Sequence, residues 1–243
     1  MTFPRSRIPE RMDDPSLPEA DHRRALVGLA RLNRVSGVSR AIYRRLKKYA
    51  KRSTTRPLRV LDVACGSGDL PIDWAMRAAR DGWPLQVTGV DVSEVAIEAM
   101  CRQACRLGVD VGAMRRDCLT APLPPGFDIV TCSLFMHHLD DAAAVRLLQS
   151  MRAAAGQAVL VCDLERSRVN LALVSITARL LTRSDVVRHD AAASVRAAYT
   201  RDEFRELLQR ATVEQARIES LFPCRFLVSI DELGIPVVAP AFA

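Results

Sequence analysis

The chain predicts an α/β protein built on a doubly wound, mostly parallel sheet of seven strands, and three observations carry that expectation. From residue 58 to 165, short apolar segments alternate with longer amphipathic ones. The apolar segments are near-continuous, as strands covered on both faces require, rather than alternating in and out. The length of 243 residues with 49% hydrophobic content suits one domain of generous size with a small appendage.

The elements follow in order. The first twenty residues are rich in proline and charge and predict no regular structure. "DHRRALVGLARLNRVSG" places Leu26, Leu29, Ala30 and Leu32 at near-helical spacing, and Gly37 punctuates it. "SRAIYRRLKKYAKR" continues as a second amphipathic helix with Ile42, Leu46 and Tyr49 on one stripe, closed by Pro57. Residues 1–57 therefore form an N-terminal extension and helical lid, and residues 58–243 the main domain.

"LRVLDVACG" is a strand running into a glycine turn. "DLPIDWAMRAARDG" is a helix with Asp69 near its N-cap, Pro71 in its first turn and Gly82 beyond its end. "LQVTGVDVS" is the second strand, and "SEVAIEAMCRQACRLG" a helix capped by Ser93 and stopped by Gly108. "VDVGAMRRD" is a weaker strand and "FDIVTCSLF" a strong one. "DDAAAVRLLQSMRAAAG" is a helix ended by Gly156, and "QAVLVCDLE" the fifth strand. The rhythm then breaks. "VNLALVSITARLLT" is an apolar helix, "RSDVVRHDAAASVRAAYT" a loop with a short helix, and together they make an insertion over about residues 166–200. "RDEFRELLQRAT" is a further helix, "VEQARIESL" and "CRFLVSI" are two more strands, and the tail "GIPVVAPAFA" stays unassigned.

Composition excludes several classes. No apolar run approaches the roughly 20 residues that span a bilayer, and the N-terminus lacks the apolar stretch of a secretory signal. Seven scattered cysteines without a CxxC pair read as reduced packing residues of a cytoplasmic protein. The net charge of +7 is concentrated between Arg23 and Arg59, where no acid occurs. Such a segment is a solvated helix face or a surface for RNA phosphates. It lacks the exposed aromatics of a single-strand binder, with only Tyr43 and Tyr49 present.

Right-handed crossovers put the C-terminal ends of parallel strands on one edge, where ligands bind. "VLDVACGSGDL" places Asp62, Gly66 and Gly68 at the first such edge. Glycines there let the backbone approach a ligand. Pro71 stands where a dinucleotide fingerprint has its third glycine, and no GK[ST] of a phosphate loop follows. Asp91 ends the second strand, within reach of ribose hydroxyls, and Asp117 ends the third, within reach of an exocyclic amine. Each acid alone is equally a helix or turn cap.

Taken together, "VLDVACGSGDL", "VTGVDVSEVAIEAM" and "RRDCLTAPLPPGFDIVTCSLFMHHLDD" resemble class I S-adenosylmethionine-dependent methyltransferases over residues 58–165. The resemblance implies a Rossmann-like fold with S-adenosylmethionine as cofactor. It implies that Asp62, Ala64 (where many members have Gly), Gly66 and Gly68 hold the methionine end. Asp91 would take the ribose, Val92 flank the adenine, and Asp117 with Cys118 meet its edge. Ser133 would line the site near the sulfonium. The segments "ERMDDPSLPEADHRRALVGLARLN" and "RHDAAASVRAAYT" also resemble methyltransferases of bacterial polyketide and phenolic-lipid pathways, which implies secondary metabolism and a small aromatic acceptor.

The chain has four histidines, and two are adjacent, His137 and His138 in "CSLFMHHLDD" after the fourth strand. That edge is where the transferred methyl would lie. A phenol has a pKa near 10, so a positioned histidine there removes a proton that is otherwise scarce to lose at neutral pH. Asp163, ending the fifth strand, is placed to orient one imidazole, and small-molecule O-methyltransferases use a similar His-His and Asp arrangement. His137 is the favoured base, with His138 in a structural or cofactor-side role; simple packing of both is the alternative. Arg188 and His189 in the insertion are candidate acceptor contacts. No metal site is expected, since HExxH, a CxxC pair and a nearby third histidine are all missing.

The resulting expectation is methyl transfer to the hydroxyl of a small phenol or polyketide-derived aromatic. C-methylation of a quinol ring and RNA methylation through the basic segment are the alternatives, and a cofactor-binding interaction module is the non-enzymatic one. No NPPY-type motif of base methylation is present, "CSLF" standing in its place. A homodimer is compatible with the sequence.

Overall fold

The computed structural model describes residues 2–14, 16–18, 24, 25, 28, 36–51, 56–182, 184–213 and 215–231. Most of the helix expected over 21–37 and the tail after residue 231 lie outside the described residues.

Seven strands form one sheet: β1 (Leu58–Val63), β2 (Leu85–Asp91), β3 (Gly112–Arg115), β4 (Phe127–Ser133), β5 (Ala155–Leu164), β6 (Ala216–Leu221) and β7 (Arg225–Asp231). Their order is β3-β2-β1-β4-β5-β7-β6. The first five pair in parallel, and β7 runs antiparallel between β5 and β6. The order reverses between β1 and β4, so their C-terminal ends open a crevice at the switch point.

Strand periodicity sends alternate residues to opposite covers. On one face Val159 and Val161 of β5 pack with α4 (Asp141–Ala154) and α7 (Arg201–Arg210), through Leu147, Leu148, Met151, Phe204 and Leu208. Each such buried side chain contributes about 1.5–3 kcal/mol relative to exposure. On the other face Leu160 and Cys162 pack with α1 (Val38–Ala50) and α2 (Asp69–Asp81), through Ile42, Leu46 and Trp74. α3 (Glu94–Leu107) adds Met100 and Ala104 beside Ile72.

Helix α1 is anchored in this second layer. Trp74 Nε1 donates to Ser39 O at 3.2 Å, and the Tyr43 hydroxyl donates to Asp81 at 2.9 Å. α5 (Arg168–Leu181) and α6 (Asp185–Ala197) follow β5 and sit over the strand ends.

Gly68, in left-handed backbone at φ 77°, is the N-cap of α2, and Asp69 follows it as the first helical residue, near the cap as expected. Two local readings differ from the sequence expectation. α4 ends at Ala154 and β5 starts at Ala155, so Gly156 lies within the strand; Ala155 is already extended and no left-handed stop is needed. The stretch 185–197 is one helix of 13 residues rather than a short one, because the Ser184 hydroxyl caps it by accepting from Val187 N.

Candidate active site

The loop after β1 reverses direction through left-handed residues Ala64, Gly66 and Gly68. A side chain at Gly68 would put its Cβ 2.3 Å from Met100 Cγ, so the glycine lets α3 pack against the loop. At Gly66 the added Cβ would meet nothing within 4 Å, and that residue lines a cavity of about 330 Å³. The loop is tied to β2 by Asp91, whose carboxylate accepts from Gly66 N at 2.8 Å and from Ser93 N at 2.9 Å.

Asp62 lines the cavity floor and is 1% exposed. Burial pushes its pKa up to about 7, although the Thr131 hydroxyl donates to it at 2.6 Å and opposes the shift. The Ser133 hydroxyl, buried at the end of β4, has no hydrogen-bond partner among the described residues and also lines the cavity. A buried acid of mixed protonation, an orphaned hydroxyl and an open glycine loop fit a ligand with a cationic, hydrogen-bonding end, as S-adenosylmethionine has. Val92 beside Asp91 is exposed over 61% of its surface, an apolar platform at the crevice mouth.

Asp117 instead accepts from Leu119 N and the Thr120 hydroxyl, both at 2.8 Å. These bonds hold its pKa below the usual value, and the residue caps its own turn. Cys118 packs against the core, and burial raises its thiol to about 11.

Across the crevice, a short 3₁₀ turn spans Met136–His138, seated by the fully buried Met136. His137 is 3% exposed. Its backbone N–H donates to Asp163 Oδ2 at 3.1 Å, and its Nδ1 lies 2.7 Å from Asp163 Oδ1. Asp163 can stand there because β5 is the immediate parallel neighbour of β4. With Nδ1–H donating to the carboxylate, Nε2 keeps its lone pair. Burial disfavours the His137 cation, but Asp163 and Glu10 outweigh it and raise the pKa above the ordinary histidine value. For His138, burial and then the neighbouring His137 push the pKa down to about 3, so this ring is neutral. The two rings lie 4.3 Å apart, and both line the cavity.

The N-terminal segment, though irregular, is fixed over this turn. Arg5 donates to Leu139 O at 2.8 Å and to Ala197 O at 2.6 Å, and Arg7 to His138 O at 3.1 Å. Asp190 of α6 accepts from Arg11 N at 2.8 Å and Met12 N at 3.0 Å. This strap delivers Glu10, whose Oε1 lies 4.0 Å from His137 Nε2 and 3.8 Å from His138 Nε2. Ligand atoms of Glu10, His137 and His138 all fall within 4.8 Å of one another. The expectation of no metal site rested on the lack of HExxH, of a CxxC pair and of a nearby third histidine; Glu10 brings a carboxylate, not a histidine, beside the pair.

Residues 60–158 match the model of a family described as "Methyltransferase domain". The ubiquinone biosynthesis O-methyltransferase of Bordetella parapertussis is 33% identical over 111 residues, covering 45% of this chain and 44% of that protein. That of Chromobacterium violaceum is 34% identical over 89 residues, 36% of each. The chain thus spans less than half the length of these curated relatives. Among solved structures, magnesium protoporphyrin IX methyltransferase from Synechocystis with bound SAH superposes with a TM-score of 0.56 at 16% identity, covering 90% of both chains. The plantazolicin methyltransferase BpumL with SAH gives 0.64 at 15% identity, over 88% of this chain and 91% of that one. Residues 60–158 are thus similar to a methyltransferase domain, and the two solved structures share the fold.

The expected site residues divide into two groups. Asp62, Ala64, Gly66, Ser133, His137 and His138 line one cavity, with Asp91, Gly68 and Asp163 directly behind them. Arg188 and His189 do not line it. The Arg188 guanidinium folds back on Thr182 O and Arg179 O at the end of α5, and His189 pairs with Asp190. Their helix contributes Ala191 and Ser194 to the cavity instead, opposite Leu173, Val174 and Thr177 of α5.

Among the lining residues that the sequence did not single out are Glu10, Asn170 and Arg225. No motif marks them, and they reach the site from distant parts of the chain. Among the described residues, none of the basic side chains between positions 23 and 59 lines the cavity. Lys47 pairs with Asp81, and Arg45 with Glu219. Among the described residues, no helix is long and apolar enough to cross a membrane.

Proposed function

We propose that this chain transfers the methyl group of S-adenosylmethionine to a hydroxyl of a small aromatic acceptor, with His137 as general base. The observation that carries this reading is the buried His137–Asp163 pair, 2.7 Å apart, on the cavity that also holds the glycine loop and Ser133. The partial likeness to O-methyltransferases of ubiquinone biosynthesis supports a ring hydroxyl as nucleophile.

When bound, the cofactor supplies an electrophilic methyl. What the chain must then do is align and deprotonate the nucleophile. Deprotonating a phenol of pKa near 10 costs about 4 kcal/mol at pH 7, from roughly three units at 1.36 kcal/mol each. His137 Nε2 takes that proton as attack proceeds, and Asp163 fixes the tautomer and stabilises the resulting imidazolium. His138 stays neutral and its ring lies tilted against that of His137, which limits the latter's rotation. The aliphatic side chains of α5 wall the acceptor and exclude water, which keeps donor and nucleophile in line. Asp62, Ala64, Gly66, Gly68 and Asp91 are assigned the methionine and ribose ends of the cofactor, Val92 its adenine face, and Ser133 the region of the sulfur. Asp117 and Cys118 close the adenine end through the loop they shape.

The test is incubation of the protein with methyl-labelled cofactor and a panel of phenols, quinols and RNA, followed by NMR of the product. Label in an aryl ether supports the reading. Label on ring carbon replaces it with C-methylation, and label in RNA or in no acceptor overturns it.

A further inference from the structure

Two arginines stand near the strand ends, Arg166 buried and Arg225 half-buried, and they are satisfied very differently. Arg166 donates to Phe3 O, Ala198 O and both carboxylate oxygens of Glu203. It is a structural arginine with its charge matched. Arg225 opens β7 opposite Leu164, one residue beyond Asp163, and lines the cavity. Its guanidinium donates to Pro223 O at 2.7 Å, and its buried Nε has no partner. Among the described residues no carboxylate forms an ion pair with it.

A guanidinium remains charged under any ordinary condition. Asp163 attracts the charge on Arg225 from nearby but does not pair with it, and withdrawing part of a guanidinium from water with a donor unmet costs free energy that a ligand accepting from it would recover. Among the described residues, Arg225 is also the one Lys or Arg that lines the cavity. Of the lining acids, Asp62 and Asp69 belong to the glycine loop and Glu10 to the histidines. Apart from the two histidines, Arg225 is thus a single basic point in a lining that is otherwise acidic, neutral polar or apolar among the described residues.

We infer that Arg225 binds a carboxylate of the acceptor, so that the substrate is an aromatic hydroxy acid rather than a neutral phenol. The inference rests on the proposed hydroxyl methylation and narrows its substrate class. Position separates this subsite from the cofactor's own carboxylate. From β1, which carries the glycine loop, to β7 is three strand spacings, about 14 Å at roughly 4.8 Å each. Asp163, which holds the base, is on the strand next to Arg225. A ring between Leu173 and Val174 then presents its hydroxyl to His137 and its acid to the fork of Arg225, whose planar donors match a carboxylate.

The experiment is calorimetric binding of hydroxybenzoates and hydroxycinnamates, and of their methyl esters, to the SAH-loaded protein. The wild-type protein is expected to bind the acids about tenfold or more tighter than the esters, the size of a charge-assisted hydrogen bond. In Arg225→Gln the acid-to-ester ratio falls to near one, and Arg225→Lys keeps part of it. The inference is overturned if wild-type protein shows no preference for the acids, or if Arg225→Gln retains it. Acids that bind through Arg225 but are never methylated would leave the carboxylate subsite standing and sink the hydroxyl-transfer reading. Methylation of neutral phenols with no acid preference would do the reverse. The wild-type comparison decides the matter even if the variants fail to fold.

Discussion

Replacing His137 by alanine removes the group proposed to accept the acceptor's proton. At pH 7 a phenol of pKa near 10 is ionised in about one molecule per thousand, so the variant loses roughly 10²–10³-fold in the chemical step. Its residual rate should climb about tenfold per pH unit as solvent hydroxide supplies the phenolate. The wild type behaves differently. His137 works as a base only when neutral, and its pKa is raised by Asp163 and Glu10 against the effect of burial. Activity therefore falls as pH drops through a pKa above 6.5, the ordinary histidine value. Stability moves the other way. A raised folded-state pKa contributes stability that is fully present below the unfolded value and is lost as pH rises through the folded one. The assay is single-turnover methyl transfer from labelled cofactor between pH 6 and 10, with circular dichroism to confirm folding. An acceptor whose hydroxyl is already ionised at neutral pH serves as the control, since it needs no base. Equal losses with both acceptors, or a variant that keeps the wild-type pH profile, would refute the assignment.

Three further outcomes are expected. Asp62 titrates near pH 7 in the folded chain because it is buried, so the native state binds more protons than the unfolded one between about 4 and 7, and stability falls as pH rises across that window. A cationic ligand favours its ionised form, so cofactor affinity should tighten about tenfold from pH 6 to 8 with proton release; calorimetry in buffers of different ionisation heat that shows no proton release would contradict this. Gly68→Ala forces a Cβ to 2.3 Å from Met100 at φ +77°, and should cost about 2–4 kcal/mol in urea unfolding; a loss under about 0.5 would mean that the loop relaxes freely. Treatment with a strong chelator should leave activity intact if His137 is the base; loss that Zn²⁺ or Co²⁺ restores would instead assign Glu10, His137 and His138 to a metal.

Much of this was legible in the sequence, for reasons that are local. Short, valine-rich apolar runs such as "AVLVCDL" fit strands covered on both faces, and β5 is that strand. The cap at Ser93 and the stop at Gly108 are set by neighbouring backbone groups, so they could be read within a few residues. The same locality explains the failures. Gly156 looked like a helix stop but is strand, since Ala154 ends the helix without needing a left-handed residue. Arg188 and His189 have the chemistry of acceptor contacts, yet the end of α5 and the anchoring Asp190 claim them.

By itself, the sequence determined the parallel sheet, the glycine loop with Asp62 and Asp91, and the edge that carries the two histidines. Each depends on backbone conformation and burial pattern within one element or one turn. Only the tertiary structure decided which groups meet across that edge. His137 pairs with Asp163 because β5 lies beside β4. Arg225 stands next to Asp163 because β7, late in the chain, returns antiparallel on β5. Glu10 arrives from the opposite terminus because Arg5, Arg7 and Asp190 pin the strap in place. Strand order and long-range hydrogen bonds set these distances, and no local periodicity records them.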